Sequence, residues 1–358
     1  MVRHLWLLCA TVVVGFVLSV GAQTNETVGV YELRKGSLSM NITNYGARTM
    51  TVFYPDKFGK LDDVLLGYDT AAEYMNSTRN FGATIGRVAN RISNASFTLN
   101  GTVYKLTPTD GKNTVHGGKK GYAKVIWKVK RYQPNSKIPR LVLAYNSFDG
   151  EEGFPGDLDV TVTYSLLSED KMSVIMKAKA INKATPVNIV QHPFWNLGGQ
   201  ASGDILSEEV QIFGSGYTEV DSDLIPTGKI LPVKDTAYDF LKPRTVGSKI
   251  GELASGYDIN YAIDGDKSSK KLKRVAIVHD KKTGRTLEMF SNQPGVQFFT
   301  SNTLNAKGKG GFVYKPYAAL CLETQGYPDA VNQPSFPSQI VNPGQTYEHH
   351  MLLRLYAR

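Results

Sequence analysis

Short runs in which apolar and polar residues alternate constrain the fold of this chain more than any other feature. The alternation is clear in residues 38–44, 160–166, 173–178 and 274–278. A period of two is typical of β-strands that bury one face and expose the other. Many such runs in a chain of 358 residues predict an all-β fold, either a large sandwich or a barrel.

Turn signals separate these runs at intervals of roughly ten residues. They include Asn100-Gly101, Asp110-Gly111, Asp149-Gly150, Pro155-Gly156, Asp264-Gly265 and Pro343-Gly344. Residues 281–284 lie between two strand-like runs and predict a hairpin loop. Helical periodicity is scarce, and only residues 70–75 and 246–254 predict short helical turns. We find no linker or fixed-period repeat, so residues 23–358 are predicted to form one domain.

The first 22 residues have the pattern of a secretory signal peptide. A short basic start with Arg3 precedes an apolar run from residue 5 to 20, and small residues precede Gln23. Cleavage there predicts a secreted protein without stable membrane insertion; an uncleaved membrane anchor is the alternative. Five Asn-X-Ser/Thr sequons agree with secretion and predict a glycoprotein. They begin at Asn25, Asn41, Asn76, Asn94 and Asn100.

The chain has two cysteines, and Cys9 lies within the predicted signal peptide. Cys321 then has no partner for an internal disulfide, so the core itself must stabilise the domain. Apolar neighbours on both sides of Cys321 predict a buried thiol. A catalytic thiol would need a more open and electropositive setting.

The formal net charge is +9, and basic residues concentrate in segment 267–285. We interpret this segment as the solvent-exposed edge of a hairpin. The more specific alternative is that it contacts an acidic polysaccharide or a membrane surface. The chain has no recognisable nucleic-acid-binding motif, so no nucleic-acid partner is predicted.

Three titratable residues in turn-rich segments indicate proton-transfer chemistry. Residues 317–323 predict an apolar strand that ends at Glu323, before a Thr-Gln-Gly-Tyr-Pro sequence. His192 closes another alternating run, and His116 precedes two glycines. Loops at the ends of sheets often carry functional residues. Burial there would strengthen Glu323 as a base.

Several neighbouring residues could bind a sugar. Phe194 and Trp195 offer rings that could stack on the apolar face of a pyranose. Arg91 and Arg87 both offer forked donors for hydroxyls, and composition alone does not choose between them. Asp258 lies between two tyrosines, as in a sugar cradle or a structured turn.

Other chemistries receive less support from the sequence. Six histidines without paired ligand spacing do not predict a metal site. The sequence has no G-x-S-x-G motif, so it does not indicate a serine hydrolase. A glycosidase function remains an alternative, because Asp258 could serve as the second carboxylate beside Glu323.

The same segments resemble the aldose 1-epimerase (galactose mutarotase) family. The similarity follows the family's order through nearly all of residues 23–358. The matching segments are residues 44–47, 82–92, 115–118, 154–157, 191–199, 256–261, 295–302 and 322–332.

This resemblance implies a β-supersandwich with an open sugar cleft and no cofactor. It implies that Glu323 is the general base and that His192 is the general acid. An ionised Glu323 and a protonated His192 would then open and reclose the ring of a free hexose such as glucose or galactose. The family's Asn-Arg pair falls at Asn90-Arg91, which favours Arg91 over Arg87. The implied sugar-binding residues are Asn90, Arg91, His116, Asp258 and Gln297.

Local departures from the family pattern leave a second functional hypothesis. Phe194 replaces a common tyrosine, Trp195 a common phenylalanine, and Ile259 a common histidine. Together with the secretory route, these changes agree with a non-catalytic sugar-binding or trafficking protein on the same scaffold. Epimerisation of a sugar phosphate is disfavoured, because Glu323 and Asp258 would repel a dianion.

Overall fold

The structure is a computed structural model, and it describes residues 27–266 and 270–358. The predicted signal peptide, the sequon at Asn25 and Lys267 of the basic segment lie outside the described residues. Within the described ranges, no helix has the length and apolar character needed to cross a membrane.

The described residues form 28 strands and one short α-helix. The helix α1 spans Ala71–Met75, after β4. The strands in chain order are β1 (Val30–Lys35), β2 (Leu38–Thr43), β3 (Arg48–Pro55), β4 (Leu61–Asp63), β5 (Ala83–Ile85), β6 (Arg91–Ile92), β7 (Ser96–Leu99), β8 (Thr102–Lys105), β9 (Thr114–Val115), β10 (Lys128–Gln133), β11 (Arg140–Ser147), β12 (Leu158–Ser168), β13 (Lys171–Ala180), β14 (Thr185–Pro186), β15 (Val190–His192), β16 (Glu209–Ile212), β17 (Gly216–Val220), β18 (Pro226–Pro232), β19 (Arg244–Thr245), β20 (Asp258–Ala262), β21 (Lys273–His279), β22 (Arg285–Ser291), β23 (Gly295–Phe299), β24 (Ala306–Lys307), β25 (Val313–Tyr314), β26 (Cys321–Gln325), β27 (Ile340–Val341) and β28 (Thr346–Ala357).

A nine-stranded antiparallel sheet is the largest element of the fold. Its strand order is β10-β11-β12-β13-β28-β22-β21-β16-β19. Strands β12 and β13 form a long hairpin in which Val162 pairs with Met176, and both side chains are buried. The alternating runs at 160–166, 173–178 and 274–278 all lie in this sheet, so their prediction as strands is confirmed.

Smaller sheets pack against the large one and share its hydrophobic core. A four-stranded sheet has the order β1-β2-β3-β4, and a five-stranded sheet has the order β18-β17-β20-β23-β26. One buried cluster contains Leu33 of β1, Val162 of β12 and Phe298 of β23. The same set of apolar residues therefore holds the sheets together, and the predicted all-β class is confirmed.

The short local elements agree with the sequence in part. Helix α1 begins after Thr70, whose hydroxyl accepts from the Glu73 N–H while Glu73 binds back to Thr70, a capping box. Residues 281–284 join β21 to β22 as predicted. The predicted strand at 317–323 was wrong at its start: Tyr317 has φ +65° in a turn, and β26 begins at Cys321.

A buried ion pair between Lys309 and Asp63 gives a stability prediction. Lys309 Nζ lies 2.6 Å from Asp63 Oδ2 and also donates to the carbonyls of Met50 and Leu65. Both charged side chains are 7% exposed. Replacing Lys309 with methionine leaves the Asp63 carboxylate buried without its counter-ion. We expect the free energy of unfolding to fall by about 3–5 kcal/mol.

Chemical denaturation of the Lys309→Met variant measures this loss. The exposed Lys315 provides a matched control, because Lys315→Met should change stability by less than about 0.5 kcal/mol. Equal stabilities for the two variants would contradict a structural role for the buried pair.

Candidate active site

A polar pocket gathers the three titratable residues Glu323, His192 and His116 and the sugar-binding residues implied by the family resemblance. Its lining residues are Asn90, Arg91, Thr109, Asp110, Val115, His116, His192, Asp258, Gln297, Phe299 and Glu323. They come from positions between 90 and 323, so the pocket forms only when the sheets assemble.

Three neighbouring strands of the five-stranded sheet position the acidic side of the pocket. Gln297 of β23 lies opposite Glu323 of β26 and opposite Asn260 of β20. Residues directly opposite one another in antiparallel strands point to the same face. Asp258 is two residues from Asn260 and shares that face. Gln297 Nε2 donates to Asp258 Oδ1 at 2.7 Å, which fixes both side chains.

His192 reaches the same pocket from a different sheet. It ends β15, which pairs with β5, and its carbonyl accepts a hydrogen bond from Gly82 N–H at 2.9 Å. Its Nε2 lies 3.4 Å from Glu323 Oε1. The Phe194 ring lies parallel to the imidazole, with centroids 5.0 Å apart, and limits rotation of the ring.

Burial shifts the pKa values of this pair in opposite directions. Burial raises the pKa of Glu323 well above its usual value, and Asp258 adds to the shift while Arg91 opposes it. Burial lowers the pKa of His192 well below its usual value, and His116 adds to the shift. Both shifts follow because a buried site disfavours the charged form of each group.

The directions of these shifts oppose the protonation state that the family resemblance implies. An ionised Glu323 beside a protonated His192 was expected, whereas burial favours a neutral imidazole beside a protonated carboxyl group. The two states contain the same single proton and differ only in which group holds it. Moving that proton across the 3.4 Å gap converts one state into the other.

His116 is held as a neutral hydrogen-bond donor. Its Nδ1 accepts from the Asn90 N–H at 3.3 Å, so its proton lies on Nε2. Burial, with a smaller contribution from Arg91, lowers its pKa to about 4. Asn90 and His116 have φ values of +60° and +55°, so the surrounding contacts hold both residues in a costly backbone conformation.

Arg91 lies between two carboxylates at the pocket wall. Its Nε donates to Asp110 Oδ2 at 2.9 Å, and its terminal nitrogen is 3.9 Å from Asp258 Oδ2. Arg87 is instead buried and donates to the carbonyls of Pro155 and Gly156. The structure thus places Arg91 in the pocket and gives Arg87 a role in packing the loop at 155–156.

Four lining residues were missed by the sequence analysis: Thr109, Asp110, Val115 and Phe299. Asp110 belongs to an Asp-Gly turn signal, which predicted a turn but gave no sign of its contact with Arg91. Val115 and Phe299 lie within segments that match the family pattern but have apolar side chains, and Thr109 lies outside those segments.

The interpretation of Trp195 as a sugar-stacking residue was wrong. Trp195 is 2% exposed and belongs to the main core, and its backbone pairs with Leu65 and Leu320. Phe194 packs against the His192 ring but does not line the pocket, so it supports the imidazole instead. Ile259 is buried in the core, on the face of β20 opposite Asp258.

Comparisons with known proteins agree with this architecture. The family model described as aldose 1-epimerase matches residues 29–354. The chain belongs to the aldose 1-epimerase family. It is 41% identical to a galactose mutarotase of Sus scrofa, over 90% of this chain and 92% of the relative. It is 30% identical to an aldose 1-epimerase of Escherichia coli, over 86% of this chain and 89% of that one.

Solved structures of aldose 1-epimerase relatives share the fold. A GalM/aldose epimerase homologue from C. elegans has a TM-score of 0.85 and 27% identity, covering 92% of this chain and 99% of that one. A galactose 1-epimerase from Lactobacillus acidophilus has a TM-score of 0.80 and 21% identity, covering 94% and 96%. The predicted β-supersandwich of the galactose mutarotase type is confirmed.

The Arg91 contacts predict a binding defect in this member of the aldose 1-epimerase family. Arg91→Lys keeps the charge but loses the planar fork that meets Asp110 and the pocket. Loss of a hydrogen bond to a charged group costs about 1.5–3 kcal/mol, so we expect kcat/KM for galactose to fall about 10–100-fold. Steady-state polarimetry measures kcat/KM. The control is Arg34→Lys, at an exposed position, which should leave kcat/KM unchanged. An unchanged kcat/KM would contradict a binding role for the fork.

Proposed function

We propose that this protein interconverts the α and β anomers of free hexoses, such as glucose and galactose, as an aldose 1-epimerase. One observation carries the proposal: His192 Nε2 and Glu323 Oε1 lie 3.4 Å apart in a polar pocket of a chain with this family membership. Anomer exchange needs one group to remove a proton and another to supply one, and these two side chains can do both.

The proposed reaction begins with the charged form of the pair. Glu323 takes the proton from the anomeric hydroxyl while His192 Nε2 gives its proton to the ring oxygen. The bond between C1 and the ring oxygen breaks and leaves the open aldehyde. Rotation about the bond between C1 and C2, followed by the reverse proton transfers, closes the ring to the other anomer.

Burial favours the ring-opening step in this scheme. Ring opening turns ionised Glu323 and protonated His192 into a neutral pair, the form that burial stabilises in the free site. Relief of two buried charges therefore offsets part of the free energy needed to open the ring. Binding of the sugar must supply the hydrogen bonds that stabilise the charged form beforehand.

The remaining pocket residues are proposed to orient the hexose. Arg91 and the Nε2–H of His116 can donate to sugar hydroxyls, while Asp258 and the Gln297 carbonyl can accept. Asn90 is proposed to bind the sugar and also accepts, at Oδ1, from the Arg91 N–H. A set of mixed donors and acceptors suits an uncharged polyol.

Polarimetry with freshly dissolved α-D-glucose and α-D-galactose tests the proposal. The protein is expected to bring the rotation to its equilibrium value faster than buffer alone. Saccharide binding by folded protein with rotation unchanged from buffer would contradict it and support a non-catalytic sugar-binding protein.

We also propose that residues 1–22 direct the chain into the secretory pathway. Asn76, Asn94 and Asn100 are exposed at turns, where an oligosaccharide can be attached, whereas Asn41 lies partly buried in β2. Expression in a eukaryotic secretory cell should release a protein that begins at Gln23 and moves faster on a gel after glycosidase treatment. A retained, unglycosylated chain with an intact start would contradict the proposal.

A further proposal is that the basic segment 267–285 contacts an acidic polysaccharide. Lys270 and Lys282 are exposed, although Lys281 pairs with Glu209 at 2.7 Å and Arg274 pairs with Glu288 at 2.8 Å. Retention on a heparin column should fall when Lys270 and Lys282 are replaced with glutamine, but not when Lys128 and Lys179 are. Unchanged retention would contradict it, and binding to anionic vesicles alone would indicate a membrane surface.

A further inference from the structure

A thiol lies beside the proposed acid and base. His192, Cys321 and Glu323 each place one potential ligand atom within 4.8 Å of the others. Cys321 and Glu323 alternate with Leu322 along β26, so their side chains lie on the same face. His192 comes from β15, which packs beside β26. Histidine nitrogen, cysteine sulfur and carboxylate oxygen are all ligand atoms that zinc takes in proteins.

The distances are compatible with tetrahedral coordination. Zinc bonds of about 2.0–2.2 Å to nitrogen and oxygen place two such ligands about 3.4 Å apart in a tetrahedron. The His192 Nε2 to Glu323 Oε1 distance is 3.4 Å. The Cys321 sulfur is within 4.8 Å of a ligand atom of each of the other two residues, so the side chains must draw closer together when they bind the ion. His192 and Glu323 line the pocket, which gives an ion a route to these two ligands, whereas Cys321 lies buried behind them.

We propose that His192, Cys321 and Glu323 bind a thiophilic divalent cation such as Zn²⁺ or Cd²⁺, and that the bound ion blocks the hexose reaction reversibly. Coordination occupies the His192 imidazole and the Glu323 carboxylate, so neither can transfer a proton to the sugar. The Cys321 thiol and the protonated Glu323 carboxyl group each release a proton to solvent as they bind the ion. The inhibitory part of this inference rests on the proposed function, whereas metal binding does not.

The surroundings of His192 indicate an inhibitor site instead of a resident metal centre. A histidine that holds a resident metal usually donates its other ring nitrogen to a carboxylate or carbonyl. His192 Nδ1 is buried and makes no hydrogen bond to another described residue. Without that support the site should exchange its ion readily, and a chelator should restore the free pair.

The experiment measures the Zn²⁺ concentration that halves the mutarotation rate of the full enzyme. Cys321→Ala should retain mutarotation but need at least about 10–100-fold more Zn²⁺ for half inhibition, since one ligand is lost. Cys321→Ser provides a second variant of nearly unchanged volume. His350→Asn is the matched control, because His350 lies 3.1 Å from Glu348 outside the pocket and should leave the inhibition unchanged.

Cobalt binding gives a readout that does not require activity. Co²⁺ added to the wild-type protein should produce a thiolate-to-cobalt charge-transfer band that is lost in Cys321→Ala and Cys321→Ser. That band in a protein without mutarotation would refute the proposed function and leave the metal site standing. An active enzyme that shows no such band, or equal Zn²⁺ sensitivity in wild type and both Cys321 variants, would overturn the metal site.

Discussion

Replacing Glu323 with glutamine is expected to lower kcat for mutarotation by about 10²–10⁴-fold. Glutamine keeps the shape of the side chain but cannot take the anomeric proton. It should bind the hexose nearly as well, because the hydroxyl contacts come from other pocket residues. Polarimetry at saturating galactose measures kcat, and the change in KM should be much smaller than the change in kcat.

A surface glutamate controls for the substitution itself. Glu252 is 56% exposed, and Glu252→Gln should leave kcat unchanged. A Glu323→Gln variant with wild-type kcat and normal folding would contradict the assignment of Glu323 as the base.

Replacing His192 with asparagine is expected to lower kcat by a similar factor of about 10²–10⁴. Asparagine can hydrogen-bond to Glu323 but cannot deliver a proton to the ring oxygen. Because the two residues share one proton, the variant that carries both Glu323→Gln and His192→Asn should have nearly the same activity as the less active of the two single variants. Multiplicative losses would indicate that the residues act independently and would contradict a shared proton.

The pH dependence of kcat provides a second check on the His192 assignment. Activity should fall in acid when the pair accepts a second proton at His192, because burial lowers the pKa of that imidazole. Activity should also fall in alkali when the pair loses its only shared proton from Glu323, because burial raises the pKa of that carboxyl group. His192→Asn should remove the acid limb that belongs to the imidazole. An identical acid limb in the wild-type protein and the variant would contradict the assignment of His192 as the general acid.

The fold class could be predicted because alternation is a local property of the chain. Strand order could not, since it depends on contacts between distant segments. Strand β28 ends the chain yet lies between β13 and β22 in the large sheet. The start of β26 was also misplaced, because the turn at Tyr317 interrupts an apolar run that looks continuous in the sequence.

The site was predicted residue by residue mainly through the family resemblance, and the physical details needed the structure. Residue type and position identified Glu323 and His192, but the direction of their pKa shifts depends on burial, which the sequence does not report. Trp195 was misplaced because its aromatic character fits a sugar platform and a core equally well. Asp110 was not predicted as a site residue, because the Asp-Gly sequence indicates only a turn and does not show the ion pair with Arg91.

Anomer exchange at equilibrium tests the central claim most directly. With [1-¹³C]galactose, selective inversion of the α-anomer signal should transfer to the β-anomer signal at a rate proportional to enzyme concentration. We expect this transfer for the wild-type protein and its near-complete loss in folded Glu323→Gln and His192→Asn. Signals broadened by binding but without transfer between anomers in the wild-type protein would contradict it.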